Sequence, residues 1–180
     1  MKNTFLVFLL LFSLLSWTNA QEFEVINLKL SDPTGGIING NLSKGATMPL
    51  RWAADSQMAC FPATRFYEFK GHHVLYRIQM PAYAELKITV TPKDSEKRIN
   101  IYALRLGANN YGSLPGLTSA ISCEASYPVY AGTPNTHAPS EAQSVEYISV
   151  NKPYNILIGV AGAAGMLDGE YELKIEIKSR

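Results

Sequence analysis

The chain has 180 residues, of which 16 are Lys or Arg and 15 are Asp or Glu, so its formal net charge is +1. A chain this close to neutral, with no cluster of Lys and Arg interleaved with aromatic residues, argues against nucleic acid as a partner. At this length a domain buries roughly 70% of the surface that its unfolded chain exposes, which is enough for one respectable core.

The N-terminus has the pattern of a secretory signal peptide. Lys2 is followed by an apolar run from Phe5 to Leu15 and by small residues that end at Ala20. The alternative is a membrane anchor, but the run is shorter than the roughly 20 residues that a spanning helix needs. We assign residues 1–20 to the signal peptide and expect an exported protein, periplasmic or extracellular, with no transmembrane segment after processing. Processing removes one charged residue, Lys2, and leaves 15 basic residues against 15 acidic ones.

Residues 21–62 are predicted to form an N-terminal extension with short strands. The first strand is expected over residues 23–30, and Pro33 with the two glycines after Thr34 then breaks it. Short apolar pieces follow at residues 36–42 and 48–52. Residues 53–64 alternate weakly and include Cys60, so we expect a loop that is tied down by a disulfide.

Residues 63–180 alternate between apolar and polar side chains in several segments, which predicts β-strands at residues 73–80, 85–91, 98–106, 144–150, 154–160 and 169–178. The last segment is the clearest, because Tyr171, Leu173, Ile175 and Ile177 face one way and charged residues face the other. The second half of residues 98–106 is apolar on both faces, which favours a central strand. Residues 107–144 are expected to form long loops at one end. The fold class is therefore predicted to be all-β, an antiparallel β-sandwich with long end loops.

Cys60 and Cys123 are the only cysteines, and an exported chain meets an oxidising environment. We predict that they form a disulfide, which would close a loop of about 64 residues and contribute roughly 4 kcal/mol in the chain-entropy model. The alternatives are two unpaired thiols or a redox pair, although the chain has no Cys-x-x-Cys spacing that would lower a thiol pKa.

The order of the strands is similar to that of the bacterial pre-peptidase C-terminal domain. The likeness covers roughly residues 63–177 and depends on Gly71-His72-His73-Val74-Leu75-Tyr76, Leu86-Lys87-Ile88-Thr89-Val90, Arg98-Ile99-Asn100-Ile101-Tyr102, and the closing pair Tyr154-Asn155-Ile156-Leu157-Ile158-Gly159-Val160 and Gly169-Glu170-Tyr171-Glu172-Leu173. This resemblance implies a jelly-roll-like sandwich of about eight strands without catalytic machinery of its own. The chain departs from the family pattern at Asn100, where an Asp is common, and in its N-terminal extension.

The long loops hold the candidate binding residues Tyr111, Tyr127 and Tyr130. A Tyr ring has an apolar face and a polar tip, so these side chains could stack on a carbohydrate or hold a peptide; the alternative is simple packing under the loop. We predict a non-catalytic module that binds a polysaccharide, a peptide or an envelope protein. The alternatives are a hydrolase with a loop-built site around His137 and a serine, or a purely structural module.

No cofactor is expected from the sequence. His72 and His73 are neighbours on a strand and point to opposite faces, so they cannot easily converge on one metal ion. A structural calcium ion is the remaining candidate, because carboxylates at a sandwich edge suit a hard cation. Its conceivable ligands are Asp32, Asp55, Glu124 and Asp168, although they do not form an Asp-x-Asp-x-Asp run.

Overall fold

The computed structural model describes residues 23–55, 58–128 and 142–180, and these residues form nine β-strands in two sheets. The strands are β1 (Val25–Asn27), β2 (Gly35–Asn41), β3 (His73–Met80), β4 (Ala84–Pro92), β5 (Ile99–Gly107), β6 (Ser122–Ser126), β7 (Gln143–Ser149), β8 (Tyr154–Gly162) and β9 (Glu170–Ser179). One short α-helix, α1 (Arg51–Ala54), and two 3₁₀ helices, Leu42–Lys44 and Ala63–Phe69, lie between β2 and β3. The signal peptide assigned to residues 1–20 lies outside the described residues.

The two sheets confirm the prediction of an antiparallel β-sandwich. One sheet has five strands in the order β1-β3-β8-β5-β6, and the other has four in the order β2-β9-β4-β7. All neighbours are antiparallel except β1 and β3, which are parallel. The described residues include no helix that is long and apolar enough to cross a membrane.

The main core lies between the two sheets and is built from the inward side chains of the strands. In β9 the predicted alternation holds, because Tyr171, Leu173 and Ile175 are buried in this core. Tyr171 lies opposite Gly40 of β2, and a Cβ at Gly40 would collide with its ring. The glycine therefore gives the tyrosine the space that a side chain would occupy, which weakens the strand locally but lets the large ring enter the core.

A second apolar cluster covers the outer face of the five-stranded sheet, so that this sheet is buried on both sides. The cluster includes Tyr102, Leu104 and Leu106 from β5, whereas Ile101 and Ala103 of the same strand face the main core. This confirms that the segment is a central strand covered on both faces. The covering residues come from two distant parts of the chain, namely Met48, Leu50, Trp52, Ala53, Met58, Phe61 and Phe69 before β3, and Leu114 and Leu117 after β5.

The predicted disulfide between Cys60 and Cys123 is present and joins this covering layer to β6, with 4.9 Å between the two Cα atoms. The bridge therefore links the N-terminal segment to an edge of the five-stranded sheet. The division at residue 63 between an extension and a sandwich domain stays a prediction, although strands β1 and β2 pair with β3 and β9 on the other side of it.

Several element boundaries differ from the predictions. The first strand is limited to Val25–Asn27. Residues 48–52 do not form a strand: Met48, Leu50 and Trp52 are buried in the second cluster, but the segment ends in helix α1. These side chains alternate because they pack against the outer face of the five-stranded sheet, and not because the segment pairs with another strand.

The loops predicted over residues 107–144 contain the short strand β6, which pairs with β5. Its residues are small, polar or half-buried, so the apolar alternation that reveals the other strands is absent. The position of this segment is therefore fixed by the disulfide at Cys123 and by the pairing with β5, and its own sequence pattern does not predict a strand.

Candidate functional site

The structure does not bring the predicted tyrosines Tyr111 and Tyr127 together. Tyr111 follows the end of β5 at Gly107 and is 62% exposed. Tyr127 follows β6, whose Ser126 pairs with Ile101 near the start of β5, so it lies toward the other end of that strand. Tyr130 lies outside the described residues.

The surroundings of Tyr127 are those of a packed side chain. Its ring contacts Phe69 edge-on, with 5.5 Å between the ring centroids, and the Arg65 guanidinium lies 5.8 Å from its ring centre. Tyr127 packs against the second cluster and is half-buried. Among the described residues, Tyr111 is therefore the predicted tyrosine whose ring is open to a ligand. The ligand-binding roles of Tyr111, Tyr127 and Tyr130 stay predictions.

Two buried side chains, Arg77 and Asn155, donate hydrogen bonds to the loop that carries Tyr111. The Arg77 Nη2 donates to the carbonyl oxygens of Tyr111 at 2.8 Å and Gly112 at 2.9 Å. The Asn155 Nδ2 donates to the carbonyl oxygens of Ala108 at 2.8 Å and Asn110 at 3.0 Å. These bonds occupy the loop carbonyls, so the backbone beneath the exposed ring is tied to β3 and β8.

Arg77 is the most unusual charged residue of this region. It is 9% exposed, yet none of the ion pairs between described residues includes it. Its Nε is buried without a hydrogen-bond partner among those residues, and its guanidinium lies 5.6 Å from the centre of the Tyr111 ring. Burial lowers the pKa of Arg77, and the neighbouring Tyr111 opposes this shift. Arginine nevertheless stays charged in proteins, so this position holds a buried cation that forms no ion pair with a carboxylate of the described residues.

Arg77 and Tyr111 line an open groove of about 360 Å³, which we call the Arg77 groove. Its other lining residues are Phe23, Glu24, Val25 and Ser113. Phe23 is buried in the second cluster, and Glu24 is exposed. A guanidinium, an exposed aromatic ring, a hydroxyl group and the Glu24 carboxylate thus line one cavity. The guanidinium and the ring suit a ligand that has both a carboxylate and an apolar face.

Sequence reasoning did not identify Arg77. The alternation of β3 places Arg77 with His73, Leu75 and Gln79 on what looks like the polar face of the strand. That face is instead covered by the second cluster, which contains Leu75. When both faces of a strand are buried, the alternation of apolar and polar residues does not show whether an arginine is solvated or buried.

The two described histidines are both engaged in structural hydrogen bonds. His73 is buried; its Nε2 lies 2.7 Å from the Phe69 carbonyl oxygen and its Nδ1 lies 2.9 Å from the Tyr102 hydroxyl. Because a carbonyl only accepts, Nε2 donates to Phe69 and Nδ1 accepts from Tyr102 in the neutral ring. Burial lowers the pKa of His73 to about 4. The His72 Nδ1 lies 3.1 Å from the Leu42 carbonyl oxygen.

The hydrolase alternative depends on His137, which lies outside the described residues. Among the described serines of the long loops, Ser126 donates to the Gln143 side chain at 2.7 Å.

The structure does not gather the four conceivable calcium ligands into one metal site. Asp32 accepts hydrogen bonds from the backbone N–H and the hydroxyl of Thr34, both at 2.7 Å, which lowers its pKa. Asp168 pairs with Lys97 at 2.8 Å, and Glu124 is exposed on β6. Within residues 23–55, 58–128 and 142–180, no group of three or more His, Cys, Asp and Glu side chains is placed to hold a metal ion. The calcium ion stays a prediction.

Asn100, the departure from the family pattern, belongs to a buried polar cluster. Its Nδ2 donates to the Glu68 carbonyl oxygen at 2.8 Å and lies 3.4 Å from Glu68 Oε2. The same Oε2 accepts from Arg98 Nη2 at 2.6 Å. An Asp at position 100 would place a second carboxylate beside Glu68, and the two like charges would repel each other. The neutral Asn100 amide avoids this repulsion and leaves Glu68 paired with Arg98.

Comparison with known proteins finds similarity to solved structures. No family model matches the chain, and no curated protein matches it in sequence. The similar solved structures include a pre-peptidase C-terminal domain. It belongs to a collagenase from Bacillus anthracis and matches with 13% identity and a TM-score of 0.40, over 89% of this chain and all of that domain.

Two other solved structures are similar over comparable lengths. Aeromonas hydrophila PliG, a periplasmic inhibitor of g-type lysozyme, matches with 9% identity and a TM-score of 0.44, over 86% of this chain and 96% of PliG. CorA, a surface-associated copper-binding protein of Methylomicrobium album BG8, matches with 9% identity and a TM-score of 0.45, over 87% of this chain and 98% of CorA.

Proposed function

We propose that this protein is an exported, non-catalytic β-sandwich module that binds a carboxylate-bearing polysaccharide of the cell envelope in the Arg77 groove. The observation that carries this proposal is Arg77, a buried guanidinium that has no carboxylate partner among the described residues. The disulfide and the predicted signal peptide support an exported protein, periplasmic or extracellular.

The charge of Arg77 explains why the ligand should carry a carboxylate. Burying a cation is unfavourable unless opposite charge or hydrogen-bond acceptors compensate for the lost water. Two backbone carbonyls and one ring supply only part of that compensation. A ligand carboxylate that enters the groove would supply the missing opposite charge, and a guanidinium is well suited to bind it.

The aromatic wall explains why we favour a sugar over a peptide. Tyr111 presents a ring that is 62% exposed, and the apolar face of a pyranose can stack on such a ring. The loop beneath the ring is already tied down by Arg77 and Asn155, so little ordering is needed when a ligand binds. The groove is open, which suits a polymer that passes across the surface.

The test uses three soluble probes with the full mature protein, measured by calorimetry. The probes are polygalacturonate, the same polymer with its carboxyl groups methyl-esterified, and a neutral dextran. We expect binding to polygalacturonate only, and a weak dependence on salt because one guanidinium makes the charged contact. Equal binding to the esterified polymer, or binding to none of the probes, would contradict the proposal.

Variants of exposed tyrosines locate the site. Tyr111→Ala should weaken binding to polygalacturonate roughly two- to tenfold, the range expected for losing one aromatic contact. The matched control is Tyr83→Ala, because Tyr83 is 58% exposed and does not line the Arg77 groove. An acidic peptide serves as a further probe, and a preference for it over polygalacturonate would replace the sugar with a protein ligand.

A further inference from the structure

Strand β2 is an edge strand whose outer backbone groups have a defined position. Among the described residues it pairs only with β9. At the ends of this ladder the Leu42 N–H donates to the Gly169 oxygen and the Ile177 N–H donates to the Thr34 oxygen. In an antiparallel pair every second residue is hydrogen-bonded to its partner, so the even-numbered residues of β2 bond to β9. The N–H and C=O groups of Ile37 and Asn39 therefore point away from the sheet.

This edge lacks the features that usually prevent strands from pairing between molecules. Residues Gly35–Asn41 include no charged residue and no proline, and three of the seven are glycine. Natural edge strands are normally protected by a charge, a proline, a bulge or a covering segment. The side chain of Ile37 is 59% exposed on the solvent face of the same strand.

The opposite edge of the same sheet, strand β7, is protected. It carries Glu146, which pairs with Lys87 at 2.9 Å. It is also bonded to the five-stranded sheet, since the Tyr147 hydroxyl donates to the Ala103 oxygen and Ser126 donates to Gln143. The sandwich is thus closed by side-chain bonds along β7, whereas the outward backbone groups of Ile37 and Asn39 on β2 have no backbone partner among the described residues. At the start of β2 the Gly35 N–H donates to the Asp32 oxygen, so the open part of this edge begins after Gly35.

The inner row of β2 is suited to a second copy of the same strand. Gly36, Ile38 and Gly40 face the interior, so a large residue lies between two small ones. An antiparallel pair of β2 strands centred on Ile38 would place Ile38 against Ile38 of the other copy and each Gly36 against a Gly40. The same register sets Ile37 opposite Asn39, which brings the outward backbone groups of both strands into hydrogen-bonding positions.

The cleft beside β2 gives this pairing an apolar contribution. It has a volume of about 370 Å³ and lies between β1 and β2. Its apolar lining residues are Ile26, Ile38, Val74 and Tyr76, and its charged ones are Lys44, Lys93 and Glu170. Ile26 is 41% exposed at this cleft. Two copies joined at Ile38 would cover both clefts. Residues Gly35–Asn41 are uncharged, so no like charges of β2 would meet at the symmetry axis, and the charged cleft residues Lys44, Lys93 and Glu170 lie outside β2.

We infer that two copies of this protein associate through antiparallel pairing of β2 with β2, which joins their four-stranded sheets into one continuous sheet. This inference is independent of the proposed function, because it concerns a surface that does not include the Arg77 groove.

The oligomeric state tests this inference. Analytical ultracentrifugation of the mature protein should detect a reversible dimer whose population rises with concentration. Ile37→Lys should shift the protein to monomer, because an edge lysine opposes pairing, whereas its far-UV circular dichroism should be unchanged. The matched control Ile148→Lys, which changes a 51% exposed isoleucine on β7, should remain dimeric. A protein that is monomeric at every concentration, or in which both lysine variants behave alike, would overturn the inference.

The register has its own test. Ile37→Cys and Asn39→Cys variants should form a cross-linked heterodimer when they are mixed and oxidised, because directly opposite residues of a hydrogen-bonded pair have Cα atoms about 5.5 Å apart, within disulfide range. We expect much less cross-linking in either variant alone. Equal cross-linking in the mixed and the separate samples would rule out this register.

Discussion

The outer face of the five-stranded sheet lies under a second layer of the chain, whereas the outer face of the four-stranded sheet carries charged side chains in solvent. On the first face, Leu75, Tyr102 and Leu157 are buried against residues from before β3 and after β5. On the second face, Lys87 pairs with Glu146, and Lys174 pairs with Glu176. The same kind of strand thus supports a structural layer on one side of the molecule and a wet surface on the other.

This difference follows from the sequences of the strands. Strands β4 and β9 alternate apolar and polar residues along most of their length, and one face of each is buried. In β8 and the greater part of β5, apolar residues occupy consecutive positions, and both faces are buried. A strand with both faces apolar requires a cover on each side, and the covering segments before β3 and after β5 supply it.

The largest expected effect comes from removing a ring from the covered face. Phe69 is fully buried, and its ring stacks on Phe61 with 4.0 Å between centroids. Phe69→Ala should lower the free energy of unfolding by about 3–5 kcal/mol, as for other buried phenylalanines. Lys174→Ala on the uncovered face is the comparison and should leave the urea midpoint almost unchanged. Similar midpoints for the two variants would contradict the view that the covering layer is part of the folded core.

Removing the disulfide should have the next largest effect. The double variant Cys60→Ala, Cys123→Ala loses the bridge between the covering layer and β6, and we expect a loss of about 2–4 kcal/mol in urea unfolding. Adding a reducing agent to the unmodified protein should produce a comparable loss, and adding it to the double variant should change nothing. If the double variant and the oxidised protein have the same urea midpoint, the bridge does not stabilise the covering layer.

Acid should also destabilise the covered face, because His73 is buried there as the neutral ring. Its pKa is lowered to about 4, compared with about 6.5 in an unfolded chain. Between these values the unfolded state binds more protons, so stability falls as the pH decreases from 6.5 to 4, by roughly 3 kcal/mol in total. His73→Gln should remove this part of the pH dependence of urea unfolding, and His72→Gln should retain it. An unchanged slope in His73→Gln would assign the pH dependence to other groups.

Much of the fold is predictable from local patterns. The strands predicted by alternation agree with the structure to within about two residues, because alternation indicates which side chains a pleated strand buries. These strands are β3, β4, β5, β7, β8 and β9. The predictions were wrong where burial does not follow from strand pairing. Met48, Leu50 and Trp52 alternate because they cover a sheet from outside, and β6 is ordered by its neighbours rather than by its own residues.

The candidate site was predictable only in part. Tyr111 could be named from its position in a loop, since loops at the end of a sandwich commonly carry binding groups. Arg77 could not, because its burial depends on segments that lie far from it in the chain. The bonds from Arg77 to the loop at Tyr111 and Gly112 span 34 and 35 residues, and no periodicity along the sequence records them.

The amino-acid sequence by itself determined that this chain forms a disulfide-linked, antiparallel β-sandwich, because the period of its apolar residues and its two cysteines are properties of the linear chain. Only the tertiary structure decided which sheet receives a second layer. Within the described residues, it also decided where a buried guanidinium forms no ion pair and which edge strand has outward backbone groups without a partner. These features depend on which distant segments meet. A two-residue period specifies that a face is buried, but it does not specify what lies against that face.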